Sequence, residues 1–520
     1  MASKTRKRRG AGRRNALPKP RGVIHPRVQK VGPEHFGIVA VDCAKARSKW
    51  LLADFYGSVL IPPTAVEHAR QSLDGAVALL RQTIQQRDIR DVLVVVERTG
   101  RYHHPVKRAF AQAGFDTRVI HPFTTKHMRL PADPGIKTDD TDLSAIWRGA
   151  INGFALAEAP LQEFWEEFRL LVRHRRDWVC KTSALCCQIK EHLHAALPGF
   201  AACFPKLWEN PACLHLALHF ESIASLRQAD PSAMAAVLRA AEIGFQRRTL
   251  HRIAEWAAQA PEADVAGQEH RRIAAALNQD RMQKEQQIQG LELRIASYLV
   301  RTPYVLLMVM PGINVVSAAE LAAEAGPMEH YANGRCLTGR AGLYPSRHQS
   351  DQVDHPDGPI VRCANRRLRF ALLQIADNLI SCNRHFRTLA AGWKQNRADP
   401  RLIRIRVAQR AARIAFHVVG GRQAFDHPCV RDRHYVLRKL VAFYQEHGAV
   451  GEQVRTDLHA ALDQIPAKAR PAEIPPLQEQ LRAHQRARRP TALAEILPDL
   501  LARLRPPGVQ SDLSGAQDPA

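Results

Sequence analysis

At 520 residues the chain is too long for one compact core, and 75 Lys and Arg against 50 Asp and Glu leave it at +25, so several domains and a polyanionic partner are the starting expectation. No run of about 18 uncharged apolar residues occurs, which argues against a membrane-spanning helix, and the first residues lack the apolar stretch of a secretory signal. Ten cysteines without CxxC spacing argue against a zinc ribbon or a secreted disulfide framework and fit a reducing cytoplasm, here read as bacterial and nucleoid-associated.

Residues 1–33 are rich in Lys and Arg, with Gly and Pro interspersed, and read as a disordered basic arm that adds salt-sensitive affinity without sequence readout. A domain over 34–160 follows. Its apolar runs at 36–41 and 50–54 predict two strands in hairpin relation. A helix is expected over 64–87, a buried strand in "DVLVVVERTG" (91–100), a helix over 104–114, a strand over 116–122 and a helix from about 139. Strands alternating with helices predict an α/β domain. Over 161–300 the strand signals vanish. "FWEEFRLLVRHRRDWVCKTSALCCQIKEHLHAAL" and "RRIAAALNQDRMQKEQQIQGLELRIASYL" are long helical patterns, readable as a coiled-coil-like pair or as a plain helical domain. Residues 301–428 are mostly helical, broken by a Gly/Pro/His/Asp-rich stretch at 342–359. Residues 429–520 read as a helical extension and a disordered tail, with a linker after 464.

Acid is scarce in this chain, yet it clusters. Asp42 closes the first apolar strand, Glu97 closes "VLVVVE", and "KTDDTD" puts Asp139, Asp140 and Asp142 at a helix start. Residues three apart share a helix face, so Asp139 and Asp142 point together and Asp140 looks elsewhere. Helix capping and the helix dipole account for one or two of these aspartates, but not for the two strand-end acids. Converging carboxylates repel unless divalent cations neutralise them. Mg²⁺ suits oxygen ligands, and a two-metal site serves phosphodiester cleavage. This is ribonuclease-H-like logic.

These residues resemble a known family. "GIVAVDCAK", "VVVERTG" and "KTDDTD" are similar to the D, E and DxxD elements of the DEDD transposases, the insertion-sequence-110 family, which includes the Piv-type DNA invertases. The resemblance continues through 168–200 and returns in "LLMVMPGINVVSAAELAAEAG", "CLTGRAGLYPSRHQSDQ", "CANRRLRFALLQIA" and "RVAQRAARIAFHVVGGRQAF", covering roughly 36–428 apart from an expansion near 200–265. It implies a RuvC-like N-terminal domain in which Asp42, Glu97, Asp139 and Asp142 bind Mg²⁺. It also implies a serine nucleophile in the second half, best matched by Ser350, with Ser346 the competing candidate; Asp351 stands where the family usually has Gly. The family cuts and rejoins DNA as an oligomer, a dimer or tetramer, and many members use a bridge RNA to choose target and donor.

Two further elements suggest phosphate contacts. "PGINVVSAAELAAEAG" resembles a helix–hairpin–helix whose turn at Gly312 presents N–H groups to a phosphate; a purely structural turn is the other reading. Asn365, Arg366, Arg367 and Arg369 form a candidate clamp at a helix start, or else a solvated basic face. A RuvC-like nuclease of junction-resolvase type and a catalytically decayed nucleic-acid-binding protein are the rival functions.

Overall fold

The structure, a computed structural model, describes residues 21–465 except 133, 159–161, 205–206, 262, 264, 351–352, 356–357, 422–428, 430–433 and 450. The expected basic arm as far as residue 20, the tail from 466, and Asp351 lie outside the described residues. The chain divides into two units, 1–160 and 161–520.

The first unit is a mixed sheet with helices on both faces. It runs α1 (His25–Val31), β1 (Phe36–Cys43), β2 (Arg47–Asp54), β3 (Val59–Glu67), α2 (Arg70–Gln86), β4 (Asp91–Glu97), α3 (His103–Gln112), β5 (Asp116–Ile120), α4 (Pro122–Arg129) and α5 (Asp139–Ile151). The strand order is β3-β2-β1-β4-β5. β2 runs antiparallel to β1 and β3, while β4 runs parallel to β1 and to β5. This order is consistent with a ribonuclease-H-like fold.

Side-chain alternation divides the core. Val39, Val41, Trp50, Leu52, Val94 and Val96 pack with α2 and α3. Phe36, Ile38, Ala40, Leu51, Ala53, Leu93 and Val95 pack on the opposite face with α1 and α5. Each such aliphatic side chain contributes roughly 1.5–3 kcal/mol of burial. The faces of β1 and β4 are thereby locked in register, because a slip of one residue would expose both cores.

Two expectations need correction. Residues 59–67 form β3, an edge strand, and the helix begins only at Arg70. Pro62 and Pro63 lie on this edge, where a strand tolerates a missing N–H, and there they mask the strand signal. Residues 24–31 are not part of a disordered arm. Ile24 and Val28 are buried in the core beneath α5. Arg27 makes a two-pronged pair with Asp91 (2.9 and 2.6 Å) and reaches Asp116 at 2.5 Å. One guanidinium thus ties the starts of β4 and β5 together.

The second unit is mostly helical. Two long helices dominate it, α6 (Glu163–Ala196) and, after five short ones, α12 (Gly267–Leu299). The intervening helices are α7 (Phe200–Cys203), α8 (Pro211–His219), α9 (Ile223–Gln228), α10 (Pro231–Ala240) and α11 (Arg247–Gln259). α6 and α12 pair antiparallel: Phe168 stacks on Tyr298, Arg175 bonds Glu292, and His192 meets His270. At one end the pair joins α8–α11 in a core built on Leu193, Leu216, Leu238 and Ile253. At the other end it joins a larger core with α13 (Val315–Ala325), α14 (Gly334–Arg340), α15 (Arg366–Cys382), α16 (Arg384–Gln395), α17 (Pro400–Gly421), α18 (His434–Glu446) and α19 (Glu452–Gln464). The stretch that interrupts the helices contains a small hairpin, β6 (His348–Ser350) and β7 (Val353–His355).

α18 and α19 belong to this larger core: Val436, Leu437, Leu440, Tyr444 and Leu458 are buried in it. From α18, Lys439 Nζ donates to the carbonyls of Met308, Met310 and Ile313 at 2.6–2.8 Å. Among the described residues the Met308 and Ile313 carbonyls have no other partner at the helix-breaking "MPGIN" turn, while the Met310 carbonyl also accepts from Ile313 N–H at 3.2 Å. Replacing Lys439 removes the donor that the buried Met308 and Ile313 carbonyls share, so Lys439→Met is expected to lower stability by about 2–4 kcal/mol. Chemical denaturation measures this. A loss below roughly 0.5 kcal/mol would mean the turn holds without the lysine.

Candidate active site: a carboxylate edge and an exposed serine

The first cluster follows from sheet geometry. Val41 lies beside Val96 in the parallel β1–β4 pair, so the next step along each strand brings Asp42 and Glu97 to adjacent carboxy ends. Both residues share the parity of Ile38, Ala40, Leu93 and Val95. They therefore project from the face that α5 covers. α5 is held there by Leu143, Ile146 and Ala150, and its first turn carries the aspartates. A reciprocal capping box between Thr138 and Thr141 fixes where that turn begins.

Electrostatics shows which acids converge. Burial, then repulsion from Glu97, Asp142 and Asp139, pushes the Asp42 carboxyl up to about 6, with Lys137 opposing. Asp140 is turned aside onto Lys49 Nζ at 2.7 Å, and Lys49 is the cross-strand neighbour of Asp42. The Thr99 hydroxyl donates to Glu97 at 3.1 Å. Asp142 is buried and is held by the guanidinium of Arg129, from the last turn of α4. Neither Arg129 nor Lys49 stands out in the sequence. Each is one of many basic residues, and only the fold gives it an acidic partner.

The donors are hard carboxylate oxygens, which suit a divalent cation such as Mg²⁺, and the repulsion at Asp42 marks where positive charge is lacking. Among the described residues, however, no three His, Cys, Asp or Glu side chains converge tightly enough to hold a metal ion. The chemistry fits. Asp142 is instead paired with Arg129.

In the second unit Ser350 and Ser346 have different surroundings. Ser350 is exposed on β6 opposite Val353, and its hydroxyl has no hydrogen-bond partner among the described residues. By alternation it shares a ribbon face with His348 and His355. Ser346 instead clasps the base of the ribbon. Its N–H and Oγ both bond the Pro359 carbonyl (2.9 and 3.0 Å), and its own carbonyl accepts from Gly358 N–H at 3.0 Å. A Cβ on Gly358 would lie 2.5 Å from Ser346 Oγ.

Three of the five candidate phosphate contacts are engaged within the fold. Gly312 has φ 97°, and an added Cβ would sit 2.7 Å from the Asn378 carbonyl, so close packing on α15 demands glycine there. Asn365 caps α15 through the N–H groups of Arg367 and Leu368 and donates to Glu324 at 3.2 Å. Arg369 bonds the carbonyls of Ala341 and Val361. Arg366 and Arg367 are exposed. The basic face of α6 is also largely spent inside the unit. Arg173 forms a two-pronged pair with buried Glu324 at 2.7 and 2.9 Å, and Arg175 bonds Glu292 and Glu320. Burial would raise the Glu324 carboxyl, but Arg173, Asn365 and Arg169 outweigh it and hold it below the usual range.

Comparison with protein families settles what these two regions are. Residues 39–198 match the family model DEDD_Tnp_IS110, described as "Transposase", and residues 304–391 match "Transposase IS116/IS110/IS902 family". The chain belongs to the insertion-sequence-110 family of transposases. It is a DNA transposase. The first match contains Asp42, Glu97, Asp139 and Asp142, and the second contains Ser346, Ser350 and Arg366–Arg369. Residues 199–303 lie outside both. No curated protein matches the chain. No helix among the described residues of the transposase is long and apolar enough to cross a membrane.

The crowding at Asp42 has a measurable consequence. Its folded pKa of about 6 lies above the unfolded value, so folding takes up a proton as pH falls through that window, and above it ionised Asp42 destabilises the unit. Asp42→Asn in metal-free buffer is therefore expected to raise stability by about 1–2 kcal/mol at pH 8, after discounting for solvent screening. The gain should vanish by about pH 4. Thermal melts across pH check this; a gain independent of pH would contradict it.

Proposed function

We propose that this transposase cuts and rejoins the DNA of a mobile element with a RuvC-like carboxylate site and a serine nucleophile. Asp42, Glu97, Asp139 and Asp142 would hold Mg²⁺, which when bound supplies positive charge to the phosphates being cut. The observation that carries this reading is the mutual repulsion that lifts Asp42 at the ends of β1 and β4, within the family-matched segment. Arg129 holds Asp142 until the site is assembled. Ser350 attacks a DNA phosphodiester through Oγ. A phosphoserine ester forms as the bond to one deoxyribose oxygen breaks, and that oxygen leaves as a hydroxyl. Return attack by a deoxyribose hydroxyl expels the serine and rejoins the strand. Its exposure on β6 supports Ser350, whereas Ser346 is tied into the ribbon's clasp. Arg366 and Arg367 contact DNA phosphates as the exposed part of the α15 start. The reading extends to a dimer or tetramer with composite sites and to a structured bridge RNA that selects target and donor. The net charge of +25 is in keeping with both nucleic acids.

The test is an assay of the full chain with element-end DNA, its guide RNA and Mg²⁺, stopped in denaturant to trap covalent protein–DNA adducts. Wild type and Ser346→Ala are expected to form an adduct. Ser350→Ala should form none, and Asp42→Ala should lose cleavage by at least about 10²-fold. Cleavage that persists in Ser350→Ala without an adduct would favour a junction-resolvase-type nuclease. Binding without cleavage by wild type would favour a decayed enzyme.

A further inference from the structure

Residues 199–303, which neither family model covers, contain a cleft of their own. An open cleft of about 520 Å³ lies between α8, the segment just before it and the middle of α12. That volume is in the range of a small-molecule subsite. Its lining combines flat rings, amides and charge, with Leu214 and Leu218 as an apolar floor. Trp208 supplies the largest ring. Arg281 and Lys190 place their cations over its indole at 5.2 and 5.8 Å. His215 and His219, one turn apart on α8, stack at 5.9 Å between centroids. Gln279, exposed on α12, has no hydrogen-bond partner among the described residues.

We infer that this cleft receives an unstacked base of a single-stranded nucleic acid. The inference rests on the reading of the chain as a nucleic-acid enzyme, and the lining chemistry narrows the ligand. Arg281 is paired with Glu285 at 2.5 Å and bonded to Asn278 at 2.9 Å, so the cleft is not a bare phosphate site. A planar heterocycle suits it better. The base stacks on rings, Gln279 and the Glu285 carboxylate meet its polar edge, and the exposed Lys190 beside Trp208 is available to the adjoining phosphate. Burial, then neighbouring His219, holds His215 below its ordinary pKa and so neutral at physiological pH, which favours stacking without adding charge. A duplex keeps its bases stacked inside and cannot offer one to the cleft. The site therefore distinguishes single strands, loops and bulges from paired helix. RNA and DNA share this chemistry.

The test uses the full chain and two variants at exposed positions, Gln279→Ala and Met282→Trp, the second filling the cleft from α12. Fluorescence anisotropy measures binding to about 12-nucleotide single-stranded RNA, single-stranded DNA of the same sequence, and the corresponding DNA duplex. Both variants are expected to weaken single-strand binding, by about tenfold for Met282→Trp, and to leave duplex binding unchanged. Whichever single strand loses more is the source of the base. Unchanged single-strand binding in both variants, or equal losses on single strand and duplex, would overturn the inference while leaving the transposase reading intact. If the wild type bound no nucleic acid at all, both readings would fall.

Discussion

The first unit is organised around a repulsion. β1 and β4 bury apolar side chains on both faces and end in carboxylates, and their parallel register brings Asp42 and Glu97 side by side. α5 packs on the face from which both project, so its own aspartates are drawn to the same edge. Hydrophobic burial thus holds like charges together, and the cost appears in the raised pKa of Asp42. The surrounding cations divide the acids. Lys49 takes Asp140 away, and Arg129 takes Asp142. Among the described residues Asp42 has no comparable ion-pair partner, and only the more distant charge of Lys137 opposes the repulsion.

In the second unit, many charges that look like a nucleic-acid surface serve the interior. The arginines of α6 answer Glu292, Glu320 and Glu324, and Asn365 joins the same network. Breaking such a buried pair typically costs about 3–5 kcal/mol, so these residues are better understood as architecture than as spare positive charge. The same economy applies to the "MPGIN" turn. Its glycine admits the close approach of α15, and its carbonyls are satisfied by Lys439. The exposed Arg366 and Arg367, the ribbon with Ser350 and the cleft beside Trp208 remain as surfaces able to meet a partner.

Much of this was legible in the sequence, for a physical reason. A strand that is apolar at every position until it ends in an acid marks its own edge, and the i, i+3 spacing of Asp139 and Asp142 states which side chains share a face. The hairpin of β1 and β2 and the paired long helices follow from the same periodicities. What stayed hidden depends on partners distant in sequence. β3 was obscured by Pro62 and Pro63, which only an edge strand accommodates, and α1 by the basic residues around Ile24 and Val28. The roles of Gly312 and Arg369 depend on α15 packing and on the carbonyls at 341 and 361, which no local pattern reveals. Arg129 lies outside every motif, yet it bears most directly on how Asp142 is presented.

The central claim is that the carboxylate edge is a divalent-cation site. It is tested most directly by calorimetric titration of Mn²⁺, a probe for Mg²⁺, into the purified transposase without nucleic acid, compared with Asp42→Asn and Arg129→Ala. Wild type is expected to bind the ion, Asp42→Asn to lose that binding, and Arg129→Ala to bind more tightly because Asp142 is released. Equal affinity in all three proteins, or no binding by either wild type or Arg129→Ala, would contradict the account.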